Sequence, residues 1–157
     1  MRTVFALQNV IAGKDYRLFL RTALQRFPTF MLVWQYPCAH AIRRELRPLQ
    51  LTHHRRSRWP GTVVFKDKVD IITYRFDRQA MDVLERPGSL LGWLHPDYPE
   101  DLALFGRDKN CAFGSVAHEG LAFILDVEFA RALPKRFELV EESVEESDWK
   151  EFYDHVA

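Results

Sequence analysis

Residues 101–125 read DLALFGRDKNCAFGSVAHEGLAFIL and contain three predicted strands joined by two short polar turns. We expect the strands over Asp101–Phe105, Cys111–Val116 and Leu121–Leu125, because each is a short, mostly apolar run bounded by turn-forming residues. Glycine and polar side chains fill the two intervening segments. The stretch therefore predicts an antiparallel meander.

Flanking segments extend this meander in both directions. Apolar residues spaced three and four apart predict an amphipathic helix over Tyr16–Phe27, with Asp15 as its N-cap. Residues 62–65 and 69–76 predict a β-hairpin around the polar loop 66–68. Further strands are expected over 1–7 and 30–34, and short helices over 38–46 and 78–85. The chain is thus predicted to be one α+β domain over 1–157, with an antiparallel sheet of about five to six strands and helices on one face.

The composition excludes several classes of protein. With 157 residues, 47% hydrophobic and 13% aromatic, the chain can bury a substantial core and is not disordered. No apolar run is long enough for a membrane helix, and the apolar start is too short for a signal peptide. Cys38 and Cys111 cannot form a disulfide framework or a four-thiolate zinc site, and both are expected to be buried, inert thiols. We expect a soluble, cytoplasmic protein.

The net charge of zero conceals a separation of charge along the chain. Residues 1–68 hold thirteen Lys/Arg and three Asp/Glu, whereas residues 69–157 hold nine and nineteen. The two halves could neutralise each other inside the fold, or each could present a charged face to a partner.

The densest positive cluster is the basic segment 43–59. Its arginines suit phosphate or carboxylate recognition, and Trp59 could stack on a nucleic-acid base. The neutral overall charge argues against nucleic acid, which leaves a solvated or internally paired edge, or a contact with a protein partner. The candidate contact residues are Arg55, Arg56 and Arg58.

The acidic stretch 138–157 is predicted to be a C-terminal helix or tail. It holds eight acidic residues among the seventeen of 138–154, and aromatic residues lie between them. It could be a solvated helix face, could dock on its own domain, or could occupy a basic groove on a partner. The candidate contact residues are Glu141, Glu142, Glu145, Glu146, Asp148 and Trp149.

A catalytic or metal-binding site could be formed by His118, Glu119 and Asp101, which are expected near one edge of the predicted meander. A histidine with carboxylates can perform acid–base catalysis or bind a metal, and His95 and Asp97 could contribute. The helical zinc spacing is absent, however, and a structural turn explains His118 equally well. Ser115 lies in no nucleophile elbow, and no glycine-rich nucleotide loop occurs. We therefore predict no catalytic residue, no metal and no cofactor.

The run Leu94–Leu102 (LHPDYPEDL), followed by Phe105 and then by Ser115–Glu119 (SVAHE), resembles a pattern in small bacterial immunity proteins of polymorphic toxins. In those proteins Pro-Glu-Asp-Leu opens a strand and Ser-x-x-His-Glu closes the next one. The resemblance spans residues 94–125 and implies a non-catalytic partner of a cognate protein toxin, which would block the toxin's active site. A small hydrolase using His118, Glu119 and Asp101, and a nucleic-acid-binding module using the basic segment 43–59, are the alternatives.

Overall fold

The computed structural model describes residues 1–37 and 39–157, which form an α+β fold around one eight-stranded antiparallel sheet. The sheet order is β10-β1-β9-β8-β7-β2-β6-β3, and the two short strands β4 and β5 pair with each other outside it. In chain order the strands are β1 (Arg2–Leu7), β2 (Thr29–Trp34), β3 (Gln50–Arg56), β4 (Arg58–Trp59), β5 (Thr62–Val63), β6 (Val69–Arg75), β7 (Glu100–Phe105), β8 (Cys111–Val116), β9 (Leu121–Ile124) and β10 (Leu139–Val144).

Short helices connect these strands. They are α1 (Gly13–Leu24), α2 (His40–Leu46), α3 (Arg78–Leu84), α4 (Val127–Ala132) and α5 (Glu146–Asp148), the last continued by a π-helical turn over Trp149–Tyr153. Single 3-10 turns follow α2 and β8. No helix in the described part of the chain is both long enough and apolar enough to span a membrane.

The larger hydrophobic core lies between the sheet and helices α1 to α4. The Phe19 ring of α1 meets Phe113 of β8 edge-on at 5.1 Å and Phe129 of α4 at 5.4 Å between ring centroids. Tyr16, on the same buried face of α1, donates its hydroxyl hydrogen to the carbonyl of Leu84 and accepts a hydrogen bond from Trp93. Each buried ring of this kind stabilises the fold by about 1.5–3 kcal/mol, so the apolar face of α1 fixes the helices on this side.

A smaller apolar cluster lies on the opposite face of the sheet, beneath the β4–β5 hairpin. Trp59 of the hairpin packs there against side chains of β2, β6 and β7. Gly114 of β8 permits this close approach, because an added Cβ would lie 2.5 Å from the Phe123 ring and 3.0 Å from Pro60.

The C-terminal segment, residues 145–157, is bound to this same face. Arg58 donates to the carbonyls of Lys150 and Glu151, and the Gly61 N–H donates to the carbonyl of Phe152 at 2.8 Å. Near the end of the chain, the Cys111 N–H donates to the carbonyl of His155 at 3.0 Å. The segment therefore packs on its own domain, which is one of the alternatives raised by the sequence.

The meander over β7, β8 and β9 and the α+β class are confirmed. Helices α1 to α4 share one face of the sheet as expected, whereas α5 lies in the C-terminal segment on the opposite face. The expected sheet of five to six strands is too small, because β3 and β10 form two additional strands at its edges. Residues 139–144 of the acidic stretch are therefore a strand rather than part of a helix.

The hairpin predicted from residues 62–65 and 69–76 is wrong. Strand β5 pairs with β4, whereas β6 lies between β2 and β3 in the main sheet. Asp15 is not an N-cap, because α1 begins at Gly13 and Asp15 lies in its first turn. Its carboxylate instead accepts a hydrogen bond from Arg136 at 2.9 Å. Cys38, expected to begin the second helix and to be a buried thiol, lies outside the described residues.

Opposite charges occupy the two edges of the sheet. Strand β3 is exposed along most of its length and carries four consecutive basic or titratable residues, His53 to Arg56. Strand β10, at the other edge, exposes Glu141 and Glu142. Ion pairs such as Arg26–Asp126 at 2.9 Å also join the two halves of the chain. Ion pairs thus neutralise part of the charge of the two halves, while opposite charges remain separated at the two edges of the sheet.

The C-terminal segment should loosen in acid. His155 is half-buried, and its buried Nε2 atom has no hydrogen-bond partner among the described residues. Desolvation, followed by the charge of Arg58, lowers the pKa of this ring to about 4. The charge of Arg56 also lowers this pKa, whereas a hydrogen bond with the Phe152 backbone and the charge of Asp154 raise it. Since the unfolded histidine titrates near 6.5, the unfolded state binds more protons between these values. Stability should therefore fall as pH drops from about 6.5 to about 4, and this contribution should not change above 6.5.

Urea denaturation of the natural protein and of His155→Gln at pH 7.5, 5.5 and 4 would measure this effect. Glutamine stays neutral throughout, so the variant should lose less stability over the same range. An equal loss in both proteins would assign the acid sensitivity to other groups.

Candidate functional site

A β-bulge in β7 brings two consecutive carboxylates together. The pairing between β2 and β7 shifts register, with Met31 opposite Ala103 but Val33 opposite Glu100. Asp101, within the shift, has a φ of 56°, a left-handed conformation that aspartate tolerates better than most residues. Neighbouring side chains on a regular strand point to opposite faces, and a bulge interrupts that alternation. A carboxylate oxygen of Glu100, a carboxylate oxygen of Asp101 and a ring nitrogen of His118 consequently lie within 4.8 Å of one another.

Asp101 is held from two directions. Its side chain accepts a hydrogen bond from the indole N–H of Trp59 at 2.8 Å and another from the backbone N–H of Ala117 at 3.0 Å. The residue is only 1% exposed. Burial raises the pKa of its carboxyl group, while these two hydrogen bonds act in the opposite direction. The side chain is therefore fixed in position.

Glu100 supplies a second buried carboxylate. It is 9% exposed, and burial followed by the neighbouring charge of Asp101 raises its pKa. A hydrogen bond from the His95 backbone acts against this rise. Two adjacent acidic groups in a poorly solvated position repel each other when both are ionised, so the site favours a proton or a cation between them.

His118 approaches these carboxylates from the 3-10 turn Ala117–Glu119, directly after β8. Gly120 ends this turn with a φ of 70°, a conformation that suits glycine. The His118 side chain is 54% exposed, and its Nε2 lies 3.7 Å from a carboxylate oxygen of Glu119. The imidazole thus lies at the boundary between buried carboxylates and solvent.

Glu100 and His118 border a cleft of about 560 Å³, which we call the carboxylate cleft. Asp101 lies behind this surface, hydrogen-bonded to Trp59, which lines the cleft. Gln35, Tyr36 and Thr62 also line it, as does Glu119. The Thr62 hydroxyl oxygen is buried and has no hydrogen-bond partner among the described residues. The cleft therefore combines charged groups with a polar atom that remains unsatisfied.

The structure confirms part of the chemical grouping expected from the sequence. It brings His118 and Asp101 together, and Glu119 lies beside His118 without joining the convergent group. Glu100 was missed, because regular strand alternation places it on the face opposite Asp101. Asp97 is exposed and lies outside this group, and the His95 ring packs against Tyr36 at 4.7 Å.

The two sequence-derived nucleophile candidates in the described residues are structural. The hydroxyl of Ser115 is buried and donates to the carbonyl of Leu102 at 2.8 Å. The thiol of Cys111 is buried, as expected, and burial raises its pKa well above the ordinary value.

A second concave surface adjoins the carboxylate cleft and shares Tyr36 with it. This hairpin groove, of about 840 Å³, is lined by Gln35, Tyr36, Arg55 and Val63 to Val69. Phe65, in the loop between β5 and β6, is 95% exposed, and Tyr36 is 47% exposed. The basic residues Arg55, Lys66 and Lys68 line the same groove as these aromatic side chains, and so does the acidic Asp67.

The three candidate arginines of the basic segment have different surroundings. Arg55 pairs with Asp70 across the β3–β6 ladder at 3.3 Å and donates to the carbonyl of Lys68. The hydrogen bond from His53, with the charge of Arg55, holds the pKa of Asp70 below its usual value. Arg56 is exposed at the end of β3, whereas Arg58 binds the C-terminal segment.

The candidate acidic residues also separate into two groups. Glu141 and Glu142 are exposed on the edge strand β10, and Glu145 follows it. Glu146 pairs with Arg2 at 3.2 Å, and the Arg2 guanidinium lies 4.9 Å from the centroid of the Trp149 ring. Asp148 lies in α5 between these two residues. Glu146 and Trp149 are thus engaged within the chain.

Comparison with known proteins identifies no relative of this chain: no family model, curated protein or solved structure matches it.

Replacing Asp101 with alanine should destabilise the protein by about 2–4 kcal/mol, because it leaves the buried Trp59 N–H and the Ala117 N–H without an acceptor. Urea denaturation at neutral pH would measure the change, with Glu138→Gln, an exposed acid before β10, as the control. A loss below about 1 kcal/mol would contradict the structural role assigned to this carboxylate.

Proposed function

We propose that this chain is a non-enzymatic immunity protein, which acts in the cytoplasm by binding a cognate toxin and covering its active site. The observation that carries the proposal is the almost complete exposure of Phe65 beside the hairpin groove. An aromatic ring that stays exposed to water contributes little to the free energy of folding, whereas aromatic side chains at the centre of a protein interface supply much of the binding energy.

The charge around Phe65 indicates the chemistry of the partner. Arg55, Lys66 and Lys68 form a basic rim, and Arg56 extends it along the exposed edge of β3. A basic rim around aromatic anchors fits an acidic protein surface, and this complementarity accelerates and orients association. The groove and the edge of β3 together offer a surface on which an interface of about 800 Å² could form.

The acidic stretch supports this proposal less well than the groove does. Arg2 holds Glu146 and Trp149, and Arg58 holds the backbone beyond them. A segment bound in this way must be released before it can enter a groove on a partner, at a cost in free energy. We therefore favour the hairpin groove as the interface and retain Glu141 and Glu142 as the test of the alternative.

The partner can be captured with a photo-crosslinking amino acid. Benzoylphenylalanine would replace Phe65 in the native cell, and Val10, 79% exposed in the loop after β1, would carry it in the control. We expect one dominant protein adduct from position 65 and none from position 10. The captured protein should arrest growth when expressed alone, and co-expression of this chain should restore growth. A non-toxic adduct, or no adduct, would contradict the proposal.

Phe65→Ala should weaken binding to the captured protein by about 2 kcal/mol, the loss typical of a central anchor, without changing the melting temperature. Calorimetry and thermal unfolding would measure the two quantities, and Val10→Ala is the matched exposed control.

Charge reversal then distinguishes the two sheet edges. The double variant Arg55→Glu/Arg56→Glu should slow association at low salt, whereas Glu141→Lys/Glu142→Lys should not. The reverse result would assign the interface to the acidic edge. Binding of short nucleic-acid probes in about 50 mM salt, lost in the arginine variant, would instead favour the nucleic-acid alternative.

A small hydrolase is the second candidate, because His118 and Asp101 do converge, with Glu100 beside them. In this case His118→Ala should lower hydrolysis of nitrophenyl esters or phosphates at least tenfold. The melting temperature should not change, since the ring is half exposed. Equal rates in the natural protein and the variant would remove this candidate.

A further inference from the structure

We propose that Glu100, Asp101 and His118 form a binding site for a divalent first-row transition-metal ion at the buried end of the carboxylate cleft. The inference does not depend on the proposed toxin partner, and the sequence pattern predicted no metal here.

The first argument is the convergence of three different ligand groups from separate places in the chain. Two carboxylates reach one point through the bulge in β7, and an imidazole reaches it from the turn after β8. Imidazole with carboxylates is a ligand set that suits zinc, manganese or iron, whereas magnesium and calcium prefer oxygen ligands alone.

The second argument is electrostatic. Glu100 and Asp101 are both almost entirely buried and are consecutive in sequence. Trp59 and Ala117 each donate one hydrogen bond to Asp101, but neither carries a positive charge. A divalent cation would neutralise both carboxylates at once, which neither hydrogen bond can do.

The third argument is the support around the ligands. Ligating groups in metal sites are commonly oriented by a second set of hydrogen bonds, and Asp101 already has two of them. The Thr62 hydroxyl, buried along the same cleft without a partner, could hydrogen-bond a water molecule on the metal. The cleft itself provides the route by which an ion enters.

The geometry requires a modest adjustment of His118. Ligand atoms about 2 Å from a shared zinc ion lie about 3.3 Å apart in a tetrahedral site. The three atoms here lie within 4.8 Å of one another. Because the His118 side chain is 54% exposed, its ring can rotate toward the fixed carboxylates without disturbing the core.

Zinc titration of chelator-treated full-length protein by calorimetry, and cobalt titration by visible absorption, would test this site. We expect one ion per chain, a rise in melting temperature, and cobalt bands of a site with nitrogen and oxygen ligands. Glu100→Gln and His118→Ala should each weaken zinc binding at least tenfold, whereas neither metal-free variant should unfold at a lower temperature than the metal-free natural protein.

Two controls separate this site from surface binding. His54→Ala removes an exposed histidine on β3, next to another histidine, and Glu138→Gln removes an exposed carboxylate elsewhere. Both should bind zinc as the natural protein does. Absence of binding, binding lost in His54→Ala, or binding unchanged in either ligand variant would overturn the assignment.

Discussion

The Asp101 carboxylate connects three parts of the molecule that the sheet alone would leave separate. Trp59 reaches it from the β4–β5 hairpin, Ala117 from the turn after β8, and its own backbone forms the bulge in β7. Because it is buried, each of these bonds is protected from competition with water. The hairpin's position on the second face, the wall of the carboxylate cleft and the placement of His118 all depend on this contact.

As a consequence, the two concave surfaces both depend on the position of the β4–β5 hairpin. The carboxylate cleft and the hairpin groove have Gln35, Tyr36, Val63 and Val64 in common. Substitutions that free the hairpin would therefore alter both surfaces, whereas Phe65 and His118, which are exposed, can be changed separately.

The sequence predicted the parts of the fold that bury one face of a strand or helix. The meander and α1 carry apolar residues at the expected spacing, and both are present. Strands β3 and β10 were missed because they lie at the edges, where their polar side chains remain in solvent and no alternation is required. The β5–β6 pairing failed because nearby segments were assumed to pair, while β6 pairs with the distant β2. At the site, only a bulge could place Glu100 beside Asp101, and the sequence pattern carried no signal for it.

The opposite charges at the two ends of the sheet give this molecule a permanent dipole moment although its net charge is zero. A neutral protein of this kind is not electrically inert: one end is attracted to a polyanion and the other to a polycation. At neutral pH it should be retained by both cation- and anion-exchange media, and it should approach a charged surface with a fixed orientation. Because dissolved salt screens exposed charges, the ionic strength as well as the pH controls how strongly copies of the molecule attract one another.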